Sequence, residues 1–499
     1  MKEIVYQILP RLWGPGSMPC GKFSHIDAGT LSYLKGLGVS TVWYTGIPRH
    51  AAPPPEGDAP QSVVKGCPGS PYAISDWYDV NPYLSDNVEE RMHEFESLIK
   101  RTHDAGMKVC TDFVPNHVAR IYDGRCTPEG APVPGRDDDP SVHWAPDNDF
   151  YYYPGEYLTL PVDSGGYSEY PARASGNCFS PKPGINDWYD TVRLNYCDFH
   201  TPTWDKMLSV ILFWAGNGVD AFRCDMVEMV PWQFFAWMIP EVKKRYPCVR
   251  FIAEVYDKNL YHKYLNHVGF DILYDKSGLY DTLRAVTCSN APAGEITAAS
   301  QQVGAFHGRL LNFLENHDEQ RIASPFFAGS AEGGFAALAV SLLLDDSPFM
   351  LYAGQEAGER GGKDGRTSIF NWERPKALGF LWENIHGSGG CADSGTILER
   401  YRSILNLAVS EPSFREGRTY DLQWCQDSGF PGRSVFAWLR SSGDSAWLAA
   451  SNFSGQRQDV EIRIPQHAVD FLGLSIMRRT FRVSIPPRDF SLLKLTGRD

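Results

Sequence analysis

GVDAFRCD, residues 218–225, decides the fold class, because a short β-branched and aromatic run ends there on charged residues. Up to about residue 400 such runs alternate with longer helix-like segments, as expected of repeated βα units around a parallel sheet. Eight strands close a parallel barrel, so we predict a (β/α)8 TIM barrel whose outer helices include 87–105 and 203–216. The eight candidate strands are 4–9, 41–44, 108–114, 218–223, 250–254, 270–273, 310–314 and 348–352.

Two regions depart from this alternation. Residues 119–189 are rich in Pro, Gly, Asp and Tyr and lack a helix-length periodic segment, so we predict an irregular inserted domain after the third strand. Beyond residue 417 the pattern changes to short alternating strands, which predicts a C-terminal antiparallel β-sandwich. The expected domains are a catalytic barrel at 1–118 and 190–416, the insert at 119–189 and the sandwich at 417–499.

Composition narrows the classes of function. The chain has 499 residues, 43% of them hydrophobic, which is typical of a globular protein with more than one folding unit. A net charge of −13 with no basic patch argues against a nucleic-acid partner. The first residues contain no apolar stretch of signal-peptide length, and the longest apolar run is too short to cross a bilayer. A cytoplasmic location without a membrane partner is therefore expected if the chain is full length. The 11 irregularly spaced cysteines favour free thiols without zinc spacing, and the oligomeric state stays open.

Polar side chains follow four of the predicted strands, at the point where each strand ends. The segments are 112–117 (DFVPNH), 222–225 (FRCD), 252–254 (IAE) and 315–318 (ENHD). Reacting groups of a parallel barrel gather at the carboxyl ends of its strands. A lone polar residue there is more often a helix cap or a surface group, but four such ends indicate one site.

Two carboxyl groups at these ends are expected to differ in protonation. Strand alternation puts Arg223 and Asp225 on one face, where the guanidinium would keep the aspartate ionised and its pKa low. Glu254 has apolar neighbours in the sequence, which favour its protonated form. One ionised and one protonated carboxyl group suit glycoside hydrolysis, with retention of configuration if they lie about 5–5.5 Å apart.

Four segments together resemble the conserved regions of the α-amylase family, glycoside hydrolase family thirteen: 112–117 (DFVPNH), 218–225 (GVDAFRCD), 251–254 (FIAE) and 313–318 (FLENHD). Their order and spacing fit, and the insert and the sandwich extend the resemblance over essentially the whole chain. It implies that Asp225 is the nucleophile, that Glu254 is the general acid/base, and that Asp318 grips and distorts the sugar ring.

The resemblance also implies the substrate-binding residues. Arg223, His117 and His317 would line the subsite before the cleaved bond, and Tyr72 would be an aromatic platform for the same glucose. Asn116 matches the calcium-ligating asparagine of the family. The sequence departs from the common Lys-His pair after the nucleophile, since it has Glu228 and Met229 there. In the family that histidine binds calcium through its backbone carbonyl, which does not require a histidine side chain. The other calcium ligands cannot be aligned in the insert, so calcium is one open alternative at this site, and no organic cofactor is expected.

The expected activity is retaining cleavage of α-1,4 bonds in starch-like or malto-oligosaccharides through a covalent glycosyl-enzyme. Cleavage of α-1,6 bonds or transfer between α-glucans at the same site is the alternative. Two other classes stay open. A metal-dependent hydrolase could use His117, Asp225, Glu254 and His317 as ligands, although Arg223 would oppose a cation there. A non-catalytic glucan-binding protein would bind without turnover.

Overall fold

The computed structural model describes residues 2–387 and 394–495. Eight parallel strands close a barrel in chain order. They are β1 (Ile4–Ile8), β2 (Thr41–Tyr44), β3 (Lys108–Phe113), β4 (Ala221–Cys224), β5 (Arg250–Ala253), β6 (Ile272–Tyr274), β7 (Leu310–Phe313) and β8 (Phe349–Tyr352). All eight predicted strands and the barrel are confirmed. A buried apolar run is enough to predict that a strand is present. Its first and last residues depend on hydrogen bonds to the neighbouring strands.

Helices surround the barrel and follow its strands in most of the βα units. The α-helices are Ala28–Gly36, Arg91–Asp104, Pro202–Gly216, Trp232–Arg245, Asp281–Thr287, Glu295–Gln302, Phe335–Leu343, Lys376–Ile385, Ser394–Ser410, Pro412–Glu416 and Gln466–Leu472. The helix before β4 shows how local sequence sets the path. It begins with Pro202, whose missing N–H costs nothing in a first turn, and Gly218 at φ +94° turns the chain into the strand.

The insert, 119–189, contains no α-helix, as predicted, and is held by short antiparallel pairs. His117–Ala119 pairs with Thr191–Arg193, and Tyr152–Tyr153 pairs with Ala172–Arg173. Another antiparallel pair, Pro48–His50 with Ile74–Val80, lies in the chain between β2 and β3.

The C-terminal region forms two antiparallel sheets around a shared core. The first contains Arg418–Asp421, Val435–Ser442, Ser445–Asn452 and Asp489–Leu495, and the second contains Gln458–Arg463 and Thr480–Ile485. Leu439 of the first sheet and Ile462 of the second belong to that core, whereas Trp438 faces the barrel and donates to the carbonyl of Leu343. The antiparallel sandwich is thus present, but the domain boundaries stay a prediction. Residues 496–499 lie outside the described residues.

Two further expectations concern cysteines and membranes. The ten cysteines that the structure describes are all free, and Cys391 lies outside the described residues. Across 2–387 and 394–495, none of the helices combines the length and the apolar character that spanning a bilayer requires.

Candidate active site

The register of two barrel strands places Asp225 beside Glu254. Strands β4 and β5 run parallel with Cys224 opposite Ala253, so the next residue of each strand emerges at the same edge. The backbone N–H of Asp225 donates to the carbonyl of Phe113 at 2.8 Å, and that of Glu254 donates to the carbonyl of Cys224 at 3.2 Å. The predicted strand ends therefore do meet at one mouth of the barrel.

Arg223 is the centre of this mouth and has no exposed surface. Its Nη1 lies 2.5 Å from Asp225 Oδ1 and 3.8 Å from Asp112 Oδ1. Its Nη2 lies 2.9 Å from Glu254 Oε1, at an ion-pair distance without the alignment of a hydrogen bond. One guanidinium thus orients the two residues that were predicted to react, together with a third carboxylate that the motif reading did not single out.

Three aromatic rings enclose the same guanidinium. The centroids of Trp43, Tyr72 and Tyr274 lie 5.6, 5.5 and 5.5 Å from its central carbon. Their π faces attract the cation and exclude water from it, so the arginine keeps one position and its charge is little screened.

The predicted low pKa of Asp225 is wrong. Burial, the largest influence, raises the pKa of Asp225 to about 8, although Arg223 acts to lower it. Burial likewise raises the pKa of Asp112 to about 6. The negative charges of Glu254 and Asp318 add to the effect of burial on Asp225, and the single charge of Arg223 does not offset the sum. The sequence showed the Arg223–Asp225 contact but not the neighbours that compete for it.

Glu254 is only 3% exposed, but its oxygens meet donors rather than the apolar surroundings that were expected. Oε2 accepts from the backbone N–H of Met226 at 2.9 Å, and Oε1 accepts from the hydroxyl of Tyr256 at 2.7 Å. Met226 has a left-handed backbone at φ +46°, unusual for a residue with a side chain. This turn directly after Asp225 places its N–H toward the second carboxyl group.

His317 connects the first strand, the seventh strand and Tyr72. The amide nitrogen of Gln7 donates to its Nδ1 at 2.8 Å, which leaves the proton of the neutral ring on Nε2. Nε2 lies 2.5 Å from the hydroxyl of Tyr72 and 3.1 Å from Asp318 Oδ2. Burial holds the pKa of His317 well below its usual range. A fixed neutral imidazole with an N–H toward the mouth is suited to binding a sugar hydroxyl.

The remaining predicted residues take different positions. The ring of Tyr72 stacks on that of His317, with centroids 5.3 Å apart, and the side chain of Asp318 is 45% exposed at the mouth. His117 is buried beside Trp188, at 5.1 Å between ring centroids, and burial lowers its pKa to about 3. Its Nδ1 accepts from the Nδ2 of Asn116 at 3.2 Å. Asn116 turns away from the mouth, where its Nδ2 donates to the carbonyl of Gly176 at 2.9 Å.

Known proteins resemble this chain in sequence and in fold. The model of the α-amylase catalytic domain matches residues 26–131. The α-amylase MalA of Haloarcula japonica is 26% identical over 72% of the chain and 45% of its own length. An α-1,4-glucan:maltose-1-phosphate maltosyltransferase of Cereibacter sphaeroides is 25% identical over 74% of the chain and 54% of its own. In sequence, this chain is therefore similar to proteins of the α-amylase family. It spans about half the length of these two curated relatives.

The fold of the chain also matches solved structures over nearly its whole length. A cyclic α-maltosyl-(1→6)-maltose hydrolase from Arthrobacter globiformis has a TM-score of 0.69 at 17% identity, covering 99% of this chain and 98% of that one. At this identity the likeness supports the architecture alone.

Glu228, one of the two departures from the family's Lys-His pair, links two loops of the mouth. Its Oε2 accepts from the backbone N–H of Tyr256 at 2.8 Å, and its Oε1 accepts from that of Asp257 at 3.3 Å. The loop after β4 thereby positions the loop that carries Tyr256, and through its hydroxyl Glu254. Sequence reasoning missed Tyr256, although its place two residues after Glu254 gave the signal that alternation provides.

Cavities lie beside this cluster. One of 410 Å³ is lined by Glu228, Trp232 and Lys263, with the ammonium of Lys263 4.5 Å from the ring of Trp232. Another of 980 Å³ follows the loop after β8, and its Arg366 donates to the backbone carbonyl of Asp318 at 2.7 Å. Each cavity is linked to the carboxylate cluster through one residue of its lining: Glu228 contacts the loop of Tyr256, and Arg366 contacts the backbone of Asp318.

Proposed function

We propose that this chain breaks or transfers α-glucosidic bonds with retention of configuration, with Asp225 as nucleophile and Glu254 as general acid/base. The observation that carries the proposal is the guanidinium of Arg223 between them, 2.5 Å from one carboxyl group and 2.9 Å from the other. A nucleophile and an acid beside one bond are what a double displacement needs.

The chemistry follows from the two carboxyl groups. Glu254 transfers its proton to the glycosidic oxygen while an oxygen of ionised Asp225 bonds to the anomeric carbon and the aglycone leaves as an alcohol. Glu254, now ionised, removes a proton from water or a sugar hydroxyl, which attacks the same carbon and releases Asp225. In the transition state the sugar ring carries a developing positive charge. This charge adds to that of Arg223 and so favours the ionised form of Asp225.

Asp318, His317, His117 and Tyr72 are the substrate-binding residues of the proposal. Asp318 and the N–H of His317 face the mouth and suit sugar hydroxyls, and Tyr72 adds an aromatic surface beside them. For His117, burial beside Trp188 supports a role in shaping the wall of the subsite as well as in binding.

The substrate of this proposal is an α-1,4-linked malto-oligosaccharide, and hydrolysis is the leading reaction. Transfer to a second glucan is the alternative, favoured by one observation: relatives of similar identity are named as an amylase and as a maltosyltransferase. Cleavage of α-1,6 bonds also stays open. Glu228 stands at the position where many members of the family have a lysine that reaches an acceptor-side sugar. In this chain its carboxylate accepts from two backbone amides instead.

The test is proton NMR of the first-formed products from maltoheptaose, with pullulan and a branched glucan alongside. We expect the α-anomer first, cleavage of maltoheptaose, and no activity in Asp225→Asn. An initial β-anomer would contradict the retaining mechanism. Binding without turnover would indicate a glucan-binding protein, and activity that EDTA abolishes and zinc restores would indicate the metal-dependent class. Longer products than the substrate would indicate transfer.

A further inference from the structure

Arg193 closes the junction between the insert and the barrel. It ends the short strand Thr191–Arg193 and lies opposite His117 in the antiparallel pair. Its Nη1 donates to the carbonyl of Gly176 at 3.1 Å, and its Nη2 donates to the carbonyl of Met229 at 2.9 Å. One guanidinium therefore joins a carbonyl of the insert to a carbonyl in the loop that follows β4.

The side chain of Asn116 enters the same junction from the end of β3. Its Nδ2 donates to the carbonyl of Gly176, so that oxygen accepts from Asn116 and from Arg193 together. The family resemblance makes Asn116 and the backbone carbonyl of Met229 candidate calcium ligands. Both positions are thus bonded within a network that already contains a positive charge.

In the part of the chain that the structure describes, no carboxylate forms an ion pair with Arg193. Arg193 contacts the two carbonyls and the ring of Phe179, whose centroid is 4.9 Å from its central carbon. Burial lowers the pKa of Arg193, and the Tyr151 hydroxyl acts in the opposite direction. Two backbone carbonyl oxygens and an aromatic face thus bind this guanidinium. Backbone carbonyl oxygens are also ligands of structural calcium ions.

Buried carboxylates of the insert are engaged elsewhere. Asp149 pairs with the ammonium of Lys206 on a barrel helix. Glu169 Oε1 lies 2.8 Å from Arg120 Nη1, and its Oε2 lies 2.8 Å from Arg173 Nη2. Throughout 2–387 and 394–495, moreover, no three His, Cys, Asp or Glu side chains are grouped to hold a metal. The donor set at this junction does not fit calcium, which prefers several anionic oxygens.

We propose that the guanidinium of Arg193 takes the structural place of the calcium ion that the family resemblance implies, and that this junction needs no divalent cation. Its planar fork reaches the two carbonyls with two separate nitrogens, Nη1 and Nη2, whereas a lysine carries its donors on one nitrogen. It also repels a second cation from the same oxygens. The insert is then fastened to the barrel by side chains of the chain itself.

The first test uses the unaltered protein. Thermal unfolding in 5 mM EDTA and in 5 mM CaCl2 should give the same Tm within about 1 °C, because a ligand that binds only the folded state would raise it. Equilibrium dialysis with radioactive calcium should show no stoichiometric retention. A Tm several degrees lower in EDTA, or one calcium retained per chain, overturns the proposal.

The second test removes the cation. Arg193→Met should lower Tm by about 3 °C or more and speed tryptic cleavage within 119–189. The matched control is Arg136→Met, since Arg136 is an exposed arginine of the same insert. Equal Tm and equal cleavage for the two variants overturn the proposal. If Arg193→Met does not fold, Arg193→Lys is used instead, because it keeps the charge but loses the second nitrogen of the fork. A Tm equal to that of the unaltered protein would then overturn the proposal.

Discussion

Arg223 and Arg193 are two arginines of one molecule that differ in what they contact. Arg223 meets the carboxylates Asp112, Asp225 and Glu254, whereas Arg193 meets the carbonyls of Gly176 and Met229. The carboxylates near Arg223 outnumber its single positive charge, whereas the groups that accept from Arg193 are uncharged carbonyls. The first environment favours proton exchange between groups, and the second favours a fixed junction.

The comparison teaches that the partners of an arginine, rather than its burial, indicate its function. Burial beside Arg223 costs stability but raises the pKa of Asp112 to about 6 and that of Asp225 to about 8, so the protonation of these two groups changes near neutral pH. Carbonyls around Arg193 do not titrate, so that junction contributes stability alone. Changes at the first arginine should therefore appear in turnover, and changes at the second in Tm.

The largest effect should come from the general acid/base. Glu254→Gln should lower kcat on maltoheptaose by about 10²–10⁴-fold, because the leaving alcohol loses its proton donor. α-Maltosyl fluoride should lose much less in its first step, since fluoride leaves without protonation. Steady-state and single-turnover rates on the two substrates measure the difference. Glu295→Gln, at an exposed glutamate far from the mouth, is the control. Equal losses on both substrates would argue against the assigned role.

Arg223→Lys should lower kcat/KM by about 10²–10³-fold, because the one nitrogen of an ammonium group cannot occupy the positions of both Nη1 beside Asp225 and Nη2 beside Glu254. The same exchange at Arg193 should be detected first as a lower Tm. Steady-state kinetics and thermal unfolding of Arg223→Lys and Arg193→Lys measure the two effects. The contrast between the two arginines would fail if Arg223→Lys kept full turnover.

Tyr256→Phe should lower kcat about tenfold, because Glu254 loses a hydrogen bond that holds its carboxyl group in place. The pH profile of kcat/KM should shift as well, which a merely structural role would not cause. Tyr246→Phe, a change at the end of an outer helix, is the matched control. A pH profile identical to that of the unaltered protein would remove Tyr256 from the account.

The smallest effect concerns stability at Asp225. Its pKa is raised to about 8 by burial, above the ordinary value of about 3.9 for an unfolded chain, so between these values the folded state binds more protons. Stability from this group is therefore lost as pH rises from 4 to 8. Asp225→Asn should raise Tm by about 2 °C or more at pH 8 and by less at pH 5. A lower Tm at pH 8 would contradict the raised pKa.

Much of the fold was predictable because its signals are local. Each barrel strand is a short apolar run, and the alternation of side chains placed Arg223 and Asp225 on one face before any coordinates. The gathering of Asp225, Glu254 and Asp318 followed from the rule that strand ends share one edge. The motifs then gave each of them a proposed role.

Other features could not be read from the chain. Gln7 reaches His317 from a strand 310 residues away, which no local pattern indicates. The raised pKa of Asp225 depends on its burial and on the charges of Glu254 and Asp318. The network of Arg193 depends on the path of the insert. Such properties arise from contacts between segments, so they appear only when the segments are assembled.

The central claim is that Asp225 forms the covalent bond to the sugar. A 5-fluoro-α-glucosyl fluoride should react with the protein and slow its turnover, and intact mass should rise by one fluoroglucosyl group. Peptide mapping should place that group on Asp225, and no adduct should form in Asp225→Asn. An adduct on another residue, or turnover of the fluoride by Asp225→Asn at the unaltered rate, would contradict the account.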